Sequence, residues 1–189
     1  NIEQAFLQYK PAWAPGLEVL AGKYKQPFRT PGDGGLIWDP DLNPEGVNVA
    51  YAMPVGGAQL FAGGGTWWMR EQKTATDSLM YGLQAGVKLP TFGVGDITFA
   101  VGQYHFTNTQ NHATYYDATT GFGNILTPAK KYAEGFRETE LFADWRGKIG
   151  DVNTNLFGQW VKNHLASDFD SAYAVGASLG WRGATLAYT

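Results

Sequence analysis

A chain of 189 residues with Lys+Arg 14 against Asp+Glu 17 is one domain's length, without the basic excess of a nucleic-acid binder or the charge block of a disordered tail. Cysteine is absent, which excludes a disulfide framework, a thiolate zinc cluster and a thiol nucleophile. Aromatic residues at 15% together with 25 glycines suit close-packed β-structure better than helices, where both are poor formers.

Read in chain order, segments of period two alternate with breaks. Residues 4–10 set Ala5, Leu7 and Tyr9 against Gln4, Gln8 and Lys10, and "PAWAPG" ends them. Residues 17–25 form the second run. A proline- and glycine-rich stretch follows, "QPFRTPGDGGLIWDPDLNPEG". The third run, 47–53, sets Val47, Val49, Tyr51 and Met53 against small or polar residues, and "PVGGA" breaks it. Runs at 59–69 and 78–89 are separated by "REQKTATD". The sixth run, 96–106, opens onto a long Tyr-, Asn- and Thr-rich stretch at 107–132. Runs at 136–146, 152–162, 173–181 and 184–188 complete the chain.

Most runs are longer than the five or six residues usual in a soluble sheet, and the breaks alternate short, long, short, long. Strands of about 9–11 residues with tight turns at one end and long loops at the other are the pattern of an up-and-down transmembrane β-barrel. The mean hydropathy of −0.27 agrees, because half of each such strand faces water. The expected fold is therefore an all-β, antiparallel up-and-down transmembrane β-barrel. About ten strands are visible, within one domain over 1–189 that is incomplete at both ends. Greasy strand faces would meet lipid, and the thin, polar or small faces, empty of large apolar groups, would meet a water-filled lumen. An unpaired edge in lipid is untenable, so a closed barrel is required. The alternative is a soluble β-sandwich with one greasy core face. Tyr9, Tyr81, Trp145, Trp160, Tyr173 and Trp181, near strand ends, are expected to form an interfacial aromatic girdle.

One stretch is more specific. Gly22, Lys23, Tyr24, Lys25, Pro27 and Phe28, followed by Trp38, Asp39, Asp41, Leu42, Asn43, Pro44, Glu45 and Gly46, form a signature over about thirty residues. It resembles the "putative porin" family of Gram-negative bacteria. The resemblance implies an outer-membrane barrel larger than ten strands that conducts small solutes and assembles as a homo-oligomer, with a trimer expected. The remaining chain matches only in style. It shows no leading segment and no terminal aromatic strand, so a fragment of a longer barrel is expected.

The candidate site residues follow from that picture. In a porin a long loop enters the lumen and narrows it, and Arg29, Asp33, Asp39, Asp41 and Glu45 would place charge there. Lumen-lining candidates are Lys23, Lys25, Gln84, Lys88, Arg137, Glu138, Glu140, Asp144 and Arg182, with Arg146, Asn155 and Gln159 beside them. Charge costs little against water, whereas Lys or Arg facing lipid at mid-depth costs about 2–4 kcal/mol. Glycines 63–65 lie in a strand, and no Lys-Ser/Thr follows them, so they are no phosphate cradle. They would let an aromatic side chain or another segment approach the wall.

Asp39, Asp41, Asn43 and Glu45 at alternate positions resemble the start of a calcium loop, but the glycine and the Glu at the twelfth position are missing. A rigid, proline-set loop is the plainer reading, and no cofactor is expected beyond that partial calcium match. His105, His112 and His164 lack helical metal spacing, and no Gly-x-Ser-x-Gly elbow occurs. The leading expectation is a non-enzymatic diffusion channel for ions and small hydrophilic solutes in the outer membrane, with lipid as its surroundings and no nucleic-acid partner. The alternatives are an adhesion or structural barrel that binds through the 107–132 loop, and an outer-membrane hydrolase.

Overall fold

A computed structural model describes residues 3–32, 35–39, 41–71, 76–115, 120–121, 123–181 and 184–189. All regular structure among them is strand: β1 (Ala5–Tyr9), β2 (Leu17–Lys23), β3 (Glu45–Val55), β4 (Ala58–Arg70), β5 (Ser78–Thr91), β6 (Gly95–Phe106), β7 (Phe136–Ile149), β8 (Val152–Asn163), β9 (Ser171–Trp181) and β10 (Ala184–Tyr188). They form one antiparallel sheet in the order β1 to β10, every strand beside its chain neighbour. This is an up-and-down stretch of barrel wall. Among the described residues β1 and β10 are not paired. Pro54 and Pro90 extend β3 and β5 beyond the sequence expectation, and each stands one residue before a short turn. Proline is tolerated at strand ends because its missing N–H interrupts little of the ladder there.

Apart from 10–16 between β1 and β2, the described connections at one end are short. Gly56–Gly57 joins β3 to β4, 92–94 joins β5 to β6, and Gly150–Asp151 joins β7 to β8. Gly56 and Gly150 adopt φ of 59° and 61°, the left-handed region where a side chain is costly. The opposite end carries 24–44, 71–77, 107–135 and 164–170.

Register assigns every strand residue to one of two faces. The row Tyr51, Ala62, Ala85, Val101, Leu141, Trp160, Tyr173 runs across seven strands on one face. That face is bare: Leu83 is 59% exposed, Val175 72% and Leu179 44%. Among the described residues no second sheet covers it, so the sandwich alternative fails. The opposite face is covered. Consecutive tryptophans show the division, since Trp68 on the bare face is 51% exposed and Trp67 on the covered face is 0% exposed.

What covers the second face is the 24–44 loop. It starts after β2, lies along the sheet and returns to β3, and Tyr24 N–H to Pro44 O (3.2 Å) and Gln26 N–H to Leu42 O (3.3 Å) close its base. Its aromatics Tyr24, Phe28 and Trp38 pack with Trp67, Met80 and Tyr104 of β4, β5 and β6 into the buried core. The expectation of a face empty of large apolar groups is thus corrected. The wall supplies aromatic side chains between its small residues, and the loop supplies the rest. Phe28 meets Trp67 edge-on at 5.4 Å and Tyr104 at 5.2 Å between centroids, and Trp38 meets Tyr104 at 4.9 Å. Gly82 makes room, because a Cβ there would stand 2.7 Å from Phe28 Cζ. A Cβ on Gly65 would lie 2.9 Å from the Trp67 ring, so this glycine admits an aromatic as the sequence suggested.

At the long-loop end, 107–135 folds back on itself. Tyr132 exchanges backbone hydrogen bonds with Asn111 and His112, both 2.9 Å. Its ring packs on Tyr115 and Phe136 at 5.5 and 5.2 Å.

Two outcomes follow from this arrangement. Val101→Arg, mid-strand on the bare face, is expected to lower folding stability in lipid vesicles by about 2–4 kcal/mol in denaturant titrations. Gly82→Leu is expected to expel Phe28 and free the loop. Trypsin should then cut after Arg29 far faster than in the parent, whereas an unchanged cleavage rate would show that Phe28 does not seat the loop.

Candidate functional site

The polar residues of the covered face hold the loop's backbone. Gln84 of β5 makes a two-way clasp: its Oε1 accepts from the Arg29 N–H at 2.9 Å and its Nε2 donates to the Arg29 carbonyl at 2.8 Å. Asp144 of β7 accepts from the Gly32 N–H at 2.6 Å, while Arg146 donates to the Gly32 carbonyl at 2.7 Å. Gln159 of β8 accepts from the Leu36 N–H at 2.9 Å. A buried loop must have its backbone groups satisfied, and four side chains from three strands do this here.

Behind these clasps lies a connected network. Glu140, 0% exposed, accepts from Tyr104 O–H at 2.8 Å and from Gln159 Nε2 at 2.6 Å. Asp144 also accepts from Arg146 Nε at 3.0 Å and Asn155 Nδ2 at 2.8 Å. A buried carboxylate without such donors would cost several kcal/mol, so the network is what permits two acids beneath the loop. Arg29 reaches sideways, donating to Gln59 Oε1 at 3.0 Å, with its guanidinium 3.8 Å above the centre of the Phe61 ring. Burial draws its pKa below the ordinary arginine value. Tyr24 is buried: its oxygen accepts from Trp67 Nε1 at 2.8 Å, and burial pushes its pKa up to about 12 despite that bond.

The sequence-predicted residues divide sharply. Gln84, Lys88, Glu138, Glu140 and Asp144 stand on the covered face, where Lys88 pairs with Asp96 at 2.8 Å. Arg137 does not. It stands opposite His105 on the bare face, one residue out of step with Glu138. Lys23 also stands on the bare face, opposite Glu45, and Lys25 lies exposed beyond the end of β2. Glu45 is likewise corrected. It opens β3 on the same face as Val47, and is not in the loop. The physical reason is parity, since adjacent strand residues point to opposite faces.

Asp39 and Asp41 are exposed on the loop. Asp39 Oδ1 accepts from the Asp41 N–H at 2.8 Å, and Asn43 Nδ2 donates to the Asp41 carbonyl at 3.1 Å, the short-range bonds of a rigid turn. Asn43 Oδ1 is taken by Gln4 at 2.9 Å. The suggested calcium ligands are not brought together, and among the described residues no group of three or more His, Cys, Asp or Glu could hold a metal ion. Asp33 and Arg182 lie outside the described residues. Tyr9, Tyr81, Trp145, Trp160, Tyr173 and Trp181 all share the bare face. Tyr81, Trp160 and Tyr173 lie toward the long-loop end, and Tyr9, Trp145 and Trp181 toward the short-turn end.

Sequence reasoning missed Gln59, Trp67 and Tyr104 as partners of the loop, and Phe28 as the loop ring that meets the last two. A signal existed: Trp67, Met80 and Tyr104 interrupt the small and polar parity of their strands.

The family model described as "Putative porin" matches residues 1–174. No curated protein and no solved structure matches the chain. A wall apolar on one side, with an inserted, tightly bonded polar loop on the other, agrees with that match, and the chain belongs to this porin family of membrane-embedded proteins.

Proposed function

We propose that this chain builds part of a passive diffusion channel for ions and small hydrophilic solutes in the outer membrane of a Gram-negative bacterium. The observation that carries this reading is the 24–44 loop, laid along one face of the wall and clasped by Gln84, Asp144 and Gln159. In a closed barrel that face lines the lumen, and such a loop narrows it without blocking it. Selection then rests on pore width and wall charge, with no covalent step. Asp39 and Asp41, exposed on the loop, bias the passage toward cations. Tyr81, Trp160 and Tyr173 at one end and Tyr9, Trp145 and Trp181 at the other act as the two interfacial girdles. A homotrimer fits the family. The adhesion reading draws less support, because Tyr132 of the long loop is buried and Tyr115 shares a 2.8 Å hydrogen bond with Ser78. Those tyrosines serve the loop's own folding.

Planar-bilayer recording of the intact protein tests the reading. Open steps of channel size are expected, and their absence would remove it. Asp39→Asn with Asp41→Asn should lower cation preference in the reversal potential. Glu45→Ala, on the bare face, should leave it unchanged. Asp144→Ala with Gln159→Ala unties the loop and should give larger, noisier open steps.

A further inference from the structure

The bare face is not uniformly apolar. Two polar rows cross β6 to β8 at its long-loop end. In the outer row Arg137 stands opposite His105, and His164 continues the row, its N–H donating to the Arg137 carbonyl at 2.8 Å. In the next row Gln103 is hydrogen-bonded to Thr139, which meets His164 Nε2 at 2.7 Å and stands opposite Lys162. Lys162 pairs with Asp170 at 3.0 Å. Arg137 and His105 are exposed, and neither side chain has an ion pair or hydrogen bond among the described residues. The patch therefore holds more cationic donors than acids.

Immediately below it lies a shallow apolar depression, largely open to its surroundings, with a volume of about 750 Å³. Its floor is Ala143 and Gly158, and its sides include Leu141, Trp160, Tyr173 and Val175. Leu141, Trp160 and Tyr173 form the next row down the same face, two residues or about 7 Å below Thr139 and Lys162. Gly158 leaves the floor open, because a Cβ there would meet only Val175 Cγ1, at 3.9 Å.

The geometry points to a binding site for one anionic, phosphate-bearing lipid, its headgroup on Arg137 and the neighbouring His105, His164 and Lys162, and an acyl chain in the Gly158 depression. A guanidinium offers the planar fork that phosphate oxygens accept, and the adjoining depression requires the anion to carry a hydrocarbon tail. Charge complementarity favours a lipid over a second copy of the chain, whose matching face would bring the same unpaired Arg137 against itself. The site rests on the reading that the bare face meets lipid. It does not depend on conduction.

Native mass spectrometry of the intact protein in non-ionic detergent tests it, with dimyristoyl phosphatidic acid, dimyristoyl phosphatidylcholine and inorganic phosphate as probes. Phosphatidic acid should be retained at about tenfold lower concentration than phosphatidylcholine. Arg137→Gln should abolish that preference and leave phosphatidylcholine retention unchanged. Gly158→Leu should weaken both lipids by a similar factor. Equal retention of the two lipids, a preference that survives Arg137→Gln, or displacement of phosphatidic acid by millimolar inorganic phosphate would overturn the proposal. So would an Arg137-dependent dimer or trimer in place of the lipid adduct. Conductance recorded on the same preparations separates the two readings: lipid preference without conductance spares this site and removes the channel, and conductance without preference does the reverse.

Discussion

A β-strand cannot lend a residue from one face to the other, so each face of this sheet must find its own medium along its whole length. Backbone pairing between neighbours satisfies the ladder and says nothing about the faces. On one side Val47, Leu83, Val101, Val175 and Leu179 remain uncovered, an apolar surface spread over several strands. On the other side a single loop supplies three aromatic rings and a row of backbone groups, and the wall answers with Trp67, Tyr104 and a set of amide and carboxylate clasps. On the proposed reading lipid satisfies the first face, and the protein's own loop satisfies much of the second.

The loop is held by two kinds of interaction that fail differently. Aromatic packing over Gly82 depends on shape and tolerates no added Cβ. The clasps at Gln84, Asp144 and Gln159 depend on paired donors and acceptors, and removing one partner leaves a buried polar group unsatisfied. Together they place Arg29 against Phe61 and Gln59 at the wall while Asp39 and Asp41 face open space. Glu140, Asp144 and Arg146 of β7 therefore have a first duty to the loop. Glu140 and Asp144 are buried beneath it, so they are not free wall charges.

Much of the fold was legible because its signals are local. Period-two alternation, strand length and the short–long rhythm of the breaks locate ten strands to within a few residues, as with β8 at Val152–Asn163 and β9 at Ser171–Trp181. The greasy parity of those strands also marks the bare face. The candidate site was legible in part. Gln84, Glu138, Glu140 and Asp144 share a parity that alternation alone assigns. Arg137 was grouped with Glu138 by charge, although two adjacent strand residues cannot line the same face. Glu45 was grouped with its loop by motif, although β3 begins there.

What the chain determined by itself is the set of strands, their lengths, the two chemistries of their faces and the local bonds among Asp39, Asp41 and Asn43, because each depends on residues close in sequence. Only the tertiary structure decided which segment fills the polar face and which side chains meet. Arg29 is 55 positions from Gln84, and Gly32 is 112 from Asp144. Such partners are chosen by the register of intervening strands and the path of the returning loop, and no local pattern carries that information.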